Sequence, residues 1–140
     1  MEGSQDFQRQ LYQYRSLQEQ RDFFQAQLDI LNNFLANLNT TKTLLENLKG
    51  DIKEEEEILV PIGGLINVKA KIKDINKILV SIGQDVVVEK NIDDSIAFIQ
   101  KLIEKNEESR KVVLSRVQML ENALIGMSEM LQKNLTQGPK

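Results

Sequence analysis

The stretch ILVPIGGLINVKAKIKDINKILVSIGQDVVVEK, residues 58–90, decides the fold. In it Ile66, Val68, Ala70 and Ile72 alternate with Asn67, Lys69, Lys71 and Lys73, and Ile78, Val80 and Ile82 alternate with Leu79 and Ser81. A period of two sends successive side chains to opposite faces, as in half-buried strands. With 58–60 and 86–88 added, four short strands are expected. Their connections, Pro61-Ile62-Gly63-Gly64, Asp74-Ile75-Asn76 and Gly83-Gln84-Asp85, all carry turn chemistry, so the strands form two β-hairpins. Lys69, Lys71, Lys73 and Lys77 lie on or near one outer face. With no aromatic residue between them, they suit a lysine-protected solvent face better than a phosphate-contacting stripe.

On either side of this block the period changes. Upstream, Leu17, Phe24, Leu31, Leu38, Leu45 and Ile52 follow Gln10 at steps of seven, and Phe7, Tyr14, Arg21, Leu28, Leu35, Lys42 and Lys49 form the companion series. Sustained 3,4 spacing keeps one seam turned toward a partner helix and predicts a coiled-coil helix over 7–52. Lys49 gives a basic last turn, and Gly50 suits a left-handed cap. The acidic run 54–57 reads as a solvated linker, because four adjacent carboxylates cannot converge on one ion without other ligands.

Downstream, Asn91 can cap a helix whose first turn holds Asp93 and Asp94. Ile96, Ile99, Ile103, Asn106, Arg110, Val113, Val117, Leu120, Leu124, Met127 and Leu131 then step by three and four. A second coiled-coil helix is expected over 91–135. Asn106 and Arg110 interrupt its seam in consecutive layers, which reads as a register device or a locally wet seam.

As helices, residues 7–52 span about 69 Å and 92–135 about 66 Å. Equal lengths flanking a compact β block fold most simply into an antiparallel two-helix arm, with the β block as the turn and both termini meeting at the far end. The class expected is mainly α with a small β part. Four short strands cannot cover both faces and hide every edge, and Leu79, Val86 and Val88 need covering. Association of chains through 58–90 supplies the cover.

The 140 residues include no Cys, His or Trp, which excludes disulfide frameworks, Cys/His zinc sites and nucleophiles that depend on Cys or a His base. Neither a phosphate-binding loop nor a nucleophile elbow occurs, so neither an enzyme nor a cofactor is expected. No apolar run approaches the roughly 18 residues of a membrane span, and residues 1–10 are polar, so neither a membrane segment nor a signal peptide is expected. The net charge of -3, with its acidic excess in residues 1–57, does not suit a nucleic-acid binder. A reducing, cytoplasmic setting is the natural expectation.

The run Ile58-Leu59-Val60-Pro61-Ile62-Gly63, then Val68-Lys69-Ala70-Lys71-Ile72, Ile78-Leu79-Val80-Ser81-Ile82-Gly83 and Val86-Val87-Val88-Glu89-Lys90, resembles the central region of archaeal-type prefoldin subunits of the alpha class. The order of helix, two hairpins and helix fits that class over nearly all of 1–140, read as a single subunit. Two turns depart from the usual pattern: Leu65, Ile66 and Asn67 stand where a small residue and then an aromatic are common, and Asp85 stands where a second glycine is often found.

The resemblance implies an ATP-independent chaperone that holds unfolded polypeptides. It further implies a hexamer of two alpha-class and four beta-class subunits, a β-barrel base carrying coiled-coil arms, and delivery of clients to a group II chaperonin. On this reading Val60, Ile66, Val68, Ile72, Ile78, Val80, Ile82, Val86 and Val88 are the assembly residues of the base. Some alpha-like members assemble differently, including into filaments, and a coiled-coil scaffold or adaptor without client transfer is the alternative.

Holding an unfolded chain needs exposed, adaptable apolar area. Leu11 and Tyr12, and then Ile125, Met130 and Leu135, lie off the seam near the free ends, where unbranched Met127 and Met130 can repack against varied partners. Phe7, Tyr14, Leu17, Met127 and Leu131 are seam residues that fraying would expose. The client-binding candidates are therefore Phe7, Leu11, Tyr12, Tyr14, Ile125, Met127, Met130, Leu131 and Leu135. A second stripe of Phe23, Ile30, Phe34, Leu44 and Leu48 suits either a neighbouring subunit or a client cavity.

Overall fold

The computed structural model describes residues 2–50, 53 and 55–136. Helix α1 (Glu2–Gly50) is followed by β1 (Glu57–Gly63), β2 (Ile66–Lys71), β3 (Ile78–Gly83), β4 (Val86–Lys90) and helix α2 (Ile92–Thr136). Two long helices with two hairpins between them is the expected class. The chain divides into two compact units, one of residues 35–105 and one of residues up to 34 together with those from 106 onward.

In the 35–105 unit, β1 pairs antiparallel with β2, and β3 with β4, as two separate two-stranded sheets. The strands run further than the alternation suggested. Pro61, Ile62 and Gly63 belong to β1 and Gly83 to β3, so the turns shrink to Gly64-Leu65 and Gln84-Asp85. A proline can stay in β1 because every strand of a two-stranded sheet is an edge, where a missing N–H need break no ladder. Gly63 and Gly64 take φ of 136° and 54°, a region open to glycine, whereas in the second hairpin Asp85 carries the left-handed turn at φ 61°.

The two hairpins are built alike. Ile58-Leu59-Val60 and Ile62-Gly63 recur 20 residues later as Ile78-Leu79-Val80 and Ile82-Gly83. In both, the register shifts just before the glycine, making Ile62 and Ile82 equivalent bulge residues.

The strand expected to reach Ile72 stops at Lys71, whose partner is Glu57, the first residue of β1. The preceding Glu56 donates its N–H to the Lys53 carbonyl (3.2 Å) across Glu55, at φ 77°, so no strand lies opposite Ile72. The linker is thus a turn, and Glu54 lies outside the described residues. Between the hairpins, Asp74 accepts the Asn76 N–H at its side chain (2.9 Å) and the Lys77 N–H at its carbonyl (3.4 Å), the expected turn.

Asn91 caps α2 as expected. Its side-chain oxygen accepts the Asp94 N–H (2.7 Å), and its carbonyl accepts the N–H and hydroxyl of buried Ser95 (3.0 and 2.8 Å). Such a cap contributes about 1 kcal/mol. Asp93 in the first turn pairs with Lys49, which sets the end of α1 beside the start of α2. Gly50 corrects the expected cap: it is the last helical residue and has no left-handed φ. Ile52, taken as the last seam residue, lies outside the described residues. The helix core here is Leu35, Leu38 and Ile103, with Ile99 and Leu102 against it. In the polar run from Asn39 to Thr43 the helix continues with the side chains of Asn39, Thr40, Thr41 and Thr43 each donating to the carbonyl four residues earlier, which satisfies these polar groups locally.

In the other unit the helices are antiparallel, since Asn134 Nδ2 donates to Gln10 Oε1 (3.0 Å) while Arg110, earlier on α2, meets Asn32, later on α1. Leu28 is buried on α1, and Val117, Leu124 and Leu131 are buried on α2 at intervals of seven. Arg110, one interval before Val117, is half-buried, and its Nε donates to Asn32 Oδ1 (2.7 Å). This layer is polar but partnered. Because Asn32 is exposed and water can replace the guanidinium, Arg110→Leu should change unfolding stability by no more than about 1 kcal/mol, with stabilisation the expected sign. A loss beyond about 2 kcal/mol in urea titration would make the guanidinium a required element of the seam.

Candidate functional site

The helix ends carry apolar side chains in two environments. With Leu124 and Leu131 turned into the seam, residues a fraction of a turn away must face outward. Tyr12 is 76% exposed, Leu135 68%, Ile125 59% and Met130 54%. Phe7, Leu11, Tyr14, Leu17 and Met127 are half-buried, and Leu131 is buried. Of the nine candidates, four therefore present free apolar surface and five are tied wholly or partly to the seam.

Beside them runs an open groove of about 390 Å³, lined by Tyr14 and Arg21 from α1 and by Glu121, Leu124, Ile125, Ser128 and Glu129 from α2. Sequence reasoning missed it. Tyr14 and Arg21 occupy core positions that an aliphatic side chain would fill. Arg21 Nε bonds its neighbour Asp22 Oδ1 (3.0 Å) and leaves Glu121 and Glu129 without an ion pair among the described residues.

The second apolar stripe is present on α1. Phe23, Ile30 and Phe34 are exposed in the unit of the helix ends, and Phe23 meets Phe24 edge-on (5.4 Å between centroids). The Arg116 guanidinium sits over the Phe24 ring at 5.9 Å. Val112 and Met119 are exposed on α2 of the same unit. In the 35–105 unit Leu44 is exposed and Leu48 half-buried.

The hairpins expose much of their apolar content. Of the assembly candidates, Val60, Ile66, Val68, Ile82 and Val86 are exposed, and Ile72, Ile78, Val80 and Val88 are half-buried. Leu59, Ile62, Leu79 and Val87 add to the exposed surface, and Leu65 at the first turn is 99% exposed. Lys69 and Lys71 stand opposite Leu59 and Glu57, on the face away from Val60 and Val68, while Lys73 and Lys77 lie outside the strands. Such a surface suits burial against other chains.

Three comparisons with known proteins agree with this architecture. The family described as Prefoldin subunit matches residues 17–137. A prefoldin subunit alpha of Pyrococcus horikoshii is 33% identical over 123 residues, covering 88% of this chain and 83% of the relative. A cryo-EM structure of filamentous PFD from Methanocaldococcus jannaschii superposes with a TM-score of 0.70 at 24% identity, over 83% of this chain and 95% of the other. That likeness concerns the fold.

Proposed function

Because this chain belongs to the prefoldin subunit family, a family of chaperone subunits that form oligomers, we propose that it is an alpha-class subunit that holds unfolded polypeptides without ATP. Clients bind at the helix ends and pass to a group II chaperonin, and the setting is the cytoplasm. The observation that carries this reading is the pairing of a closed seam with open apolar surface, where Tyr12, Ile125, Met130 and Leu135 stand exposed beside buried Leu124 and Leu131. Such surface is reversible and adaptable, and needs no bond chemistry. Among the described residues no helix is long and apolar enough to cross a membrane.

The partners we propose are beta-class subunits, four for each two alpha chains, joined through residues 58–90 in a β-barrel. Support comes from the unpaired strand edges and from exposed Val60, Ile66, Val68 and Val86. Replacing Val80 and Val86 together with Lys should yield smaller species by native mass spectrometry while circular dichroism stays helical. Retention of the parental mass would place assembly elsewhere.

The test of function is aggregation of a chemically unfolded protein, followed by light scattering with and without the assembled complex. Suppression is expected. A complex that never suppresses aggregation would favour a scaffold or filament-forming subunit, a reading kept in view by the filamentous structural neighbour.

A further inference from the structure

We propose that the groove between Glu121 and Glu129 selects client segments in which an apolar side chain is flanked by lysines or arginines. The inference rests on the client-holding function proposed above and specifies which segments that surface takes. The floor is apolar: Leu124 is buried, Tyr14 half-buried and Ile125 exposed. Arg21 is the cation among the lining residues, and its guanidinium is engaged by Asp22. Glu121 and Glu129 are exposed and have no ion pair among the described residues, so the lining carries two unpaired carboxylates against the single guanidinium of Arg21 and is acidic on balance.

Their spacing gives the occupant its shape. Eight residues of one helix set the two carboxylate positions about 12 Å apart along the axis. About four residues of extended chain cover that distance. A segment with an apolar centre over Ile125 and a cation one or two residues to each side therefore meets floor and rims together. A single exposed charge pair is weak and salt-sensitive, but two pairs act here on one bound segment. Acidic flanks would set like charges against both rims.

The test uses the assembled full-length protein and three dye-labelled peptides with one Leu-Phe-Leu centre and Lys, Gln or Glu flanks, read by fluorescence anisotropy. At low salt the Lys-flanked peptide should bind about threefold to tenfold more tightly than the Glu-flanked one, and the gap should close near about 1 M salt, where the screening length falls to about 3 Å. Glu121→Lys with Glu129→Lys should invert the order, with helicity checked by circular dichroism. Equal binding of all three peptides, or an order unchanged by the double reversal, would overturn the charge preference and leave client holding intact. Failure of all three to bind would remove client holding at these ends and this proposal with it.

Discussion

Val117→Asp should lower the stability of the helix pair by about 3 kcal/mol or more. Val117 is 3% exposed, the lowest value among the buried apolar residues, and sits midway between Arg110 and Leu124 in the heptad series. A carboxylate there gains no partner from its seam neighbours Val113 and Leu120, one turn away on α2, which are apolar. It must either ionise in a dry seam, be held protonated, or force the helices apart. The first two carry the desolvation cost of a buried charge or polar group, and the third gives up burial of Leu124 and Leu28. Val112→Asp is the matched control: that side chain is exposed, so the same chemistry on the same helix should cost no more than about 0.5 kcal/mol. Thermal melts followed by circular dichroism compare the two. Equal midpoints for the two variants would mean that the heptad series does not mark the seam.

The seam was legible because a 3,4 spacing has one physical solution. All eleven α2 positions read from Ile96 to Leu131 are buried or half-buried, as are Leu28, Leu35, Leu38 and Leu45 on α1. The strands were legible as alternation, but their ends were not. Alternation continues through Lys71, Ile72 and Lys73, yet pairing stops at Lys71 because the Glu56 N–H turns back to Lys53. Strand ends depend on the partner strand, and a single segment's period does not contain that information. The 20-residue repeat of the hairpins was available in the sequence and would have assigned Ile62 and Ile82 the same role.

The sites divide in the same way. Of the positions off the heptad, Tyr12, Ile125, Met130 and Leu135 are exposed as read, whereas Leu11 is half-buried. The groove required knowing which α2 residues face Tyr14 and Arg21, a matter of register between helices. Arg21 at a core position was the available sign, as Arg110 was for the Asn32 layer. Polar residues in a heptad seam thus marked both the partnered layer and the unfilled one.

Removing residues 1–12 and 125–140 should abolish most suppression of client aggregation while leaving assembly mass, per subunit count, unchanged. What remains includes Leu28, Leu35, Leu38 and Leu45 on α1, Ile92, Ile103, Val117 and Leu124 on α2, and both hairpins, so the segments proposed for assembly are intact. What goes includes Tyr12, Ile125, Met130 and Leu135, the exposed apolar set at the helix ends, with Phe7, Leu11, Met127 and Leu131. Because deletion also opens the last seam layers, the sharper variant replaces Tyr12, Ile125, Met130 and Leu135 together with Ser. Each is more than half exposed, so the loss of seam burial is small while the apolar area offered to a client falls. Parallel loss of activity in both variants assigns client contact to this set. Activity retained in the Ser variant but lost on deletion would move it to the half-buried Phe7, Leu11 and Met127 exposed by fraying. Activity retained in both would shift client contact to the stripe of Phe23, Ile30 and Phe34 or to partner subunits, and the helix ends would then serve only to close the seam.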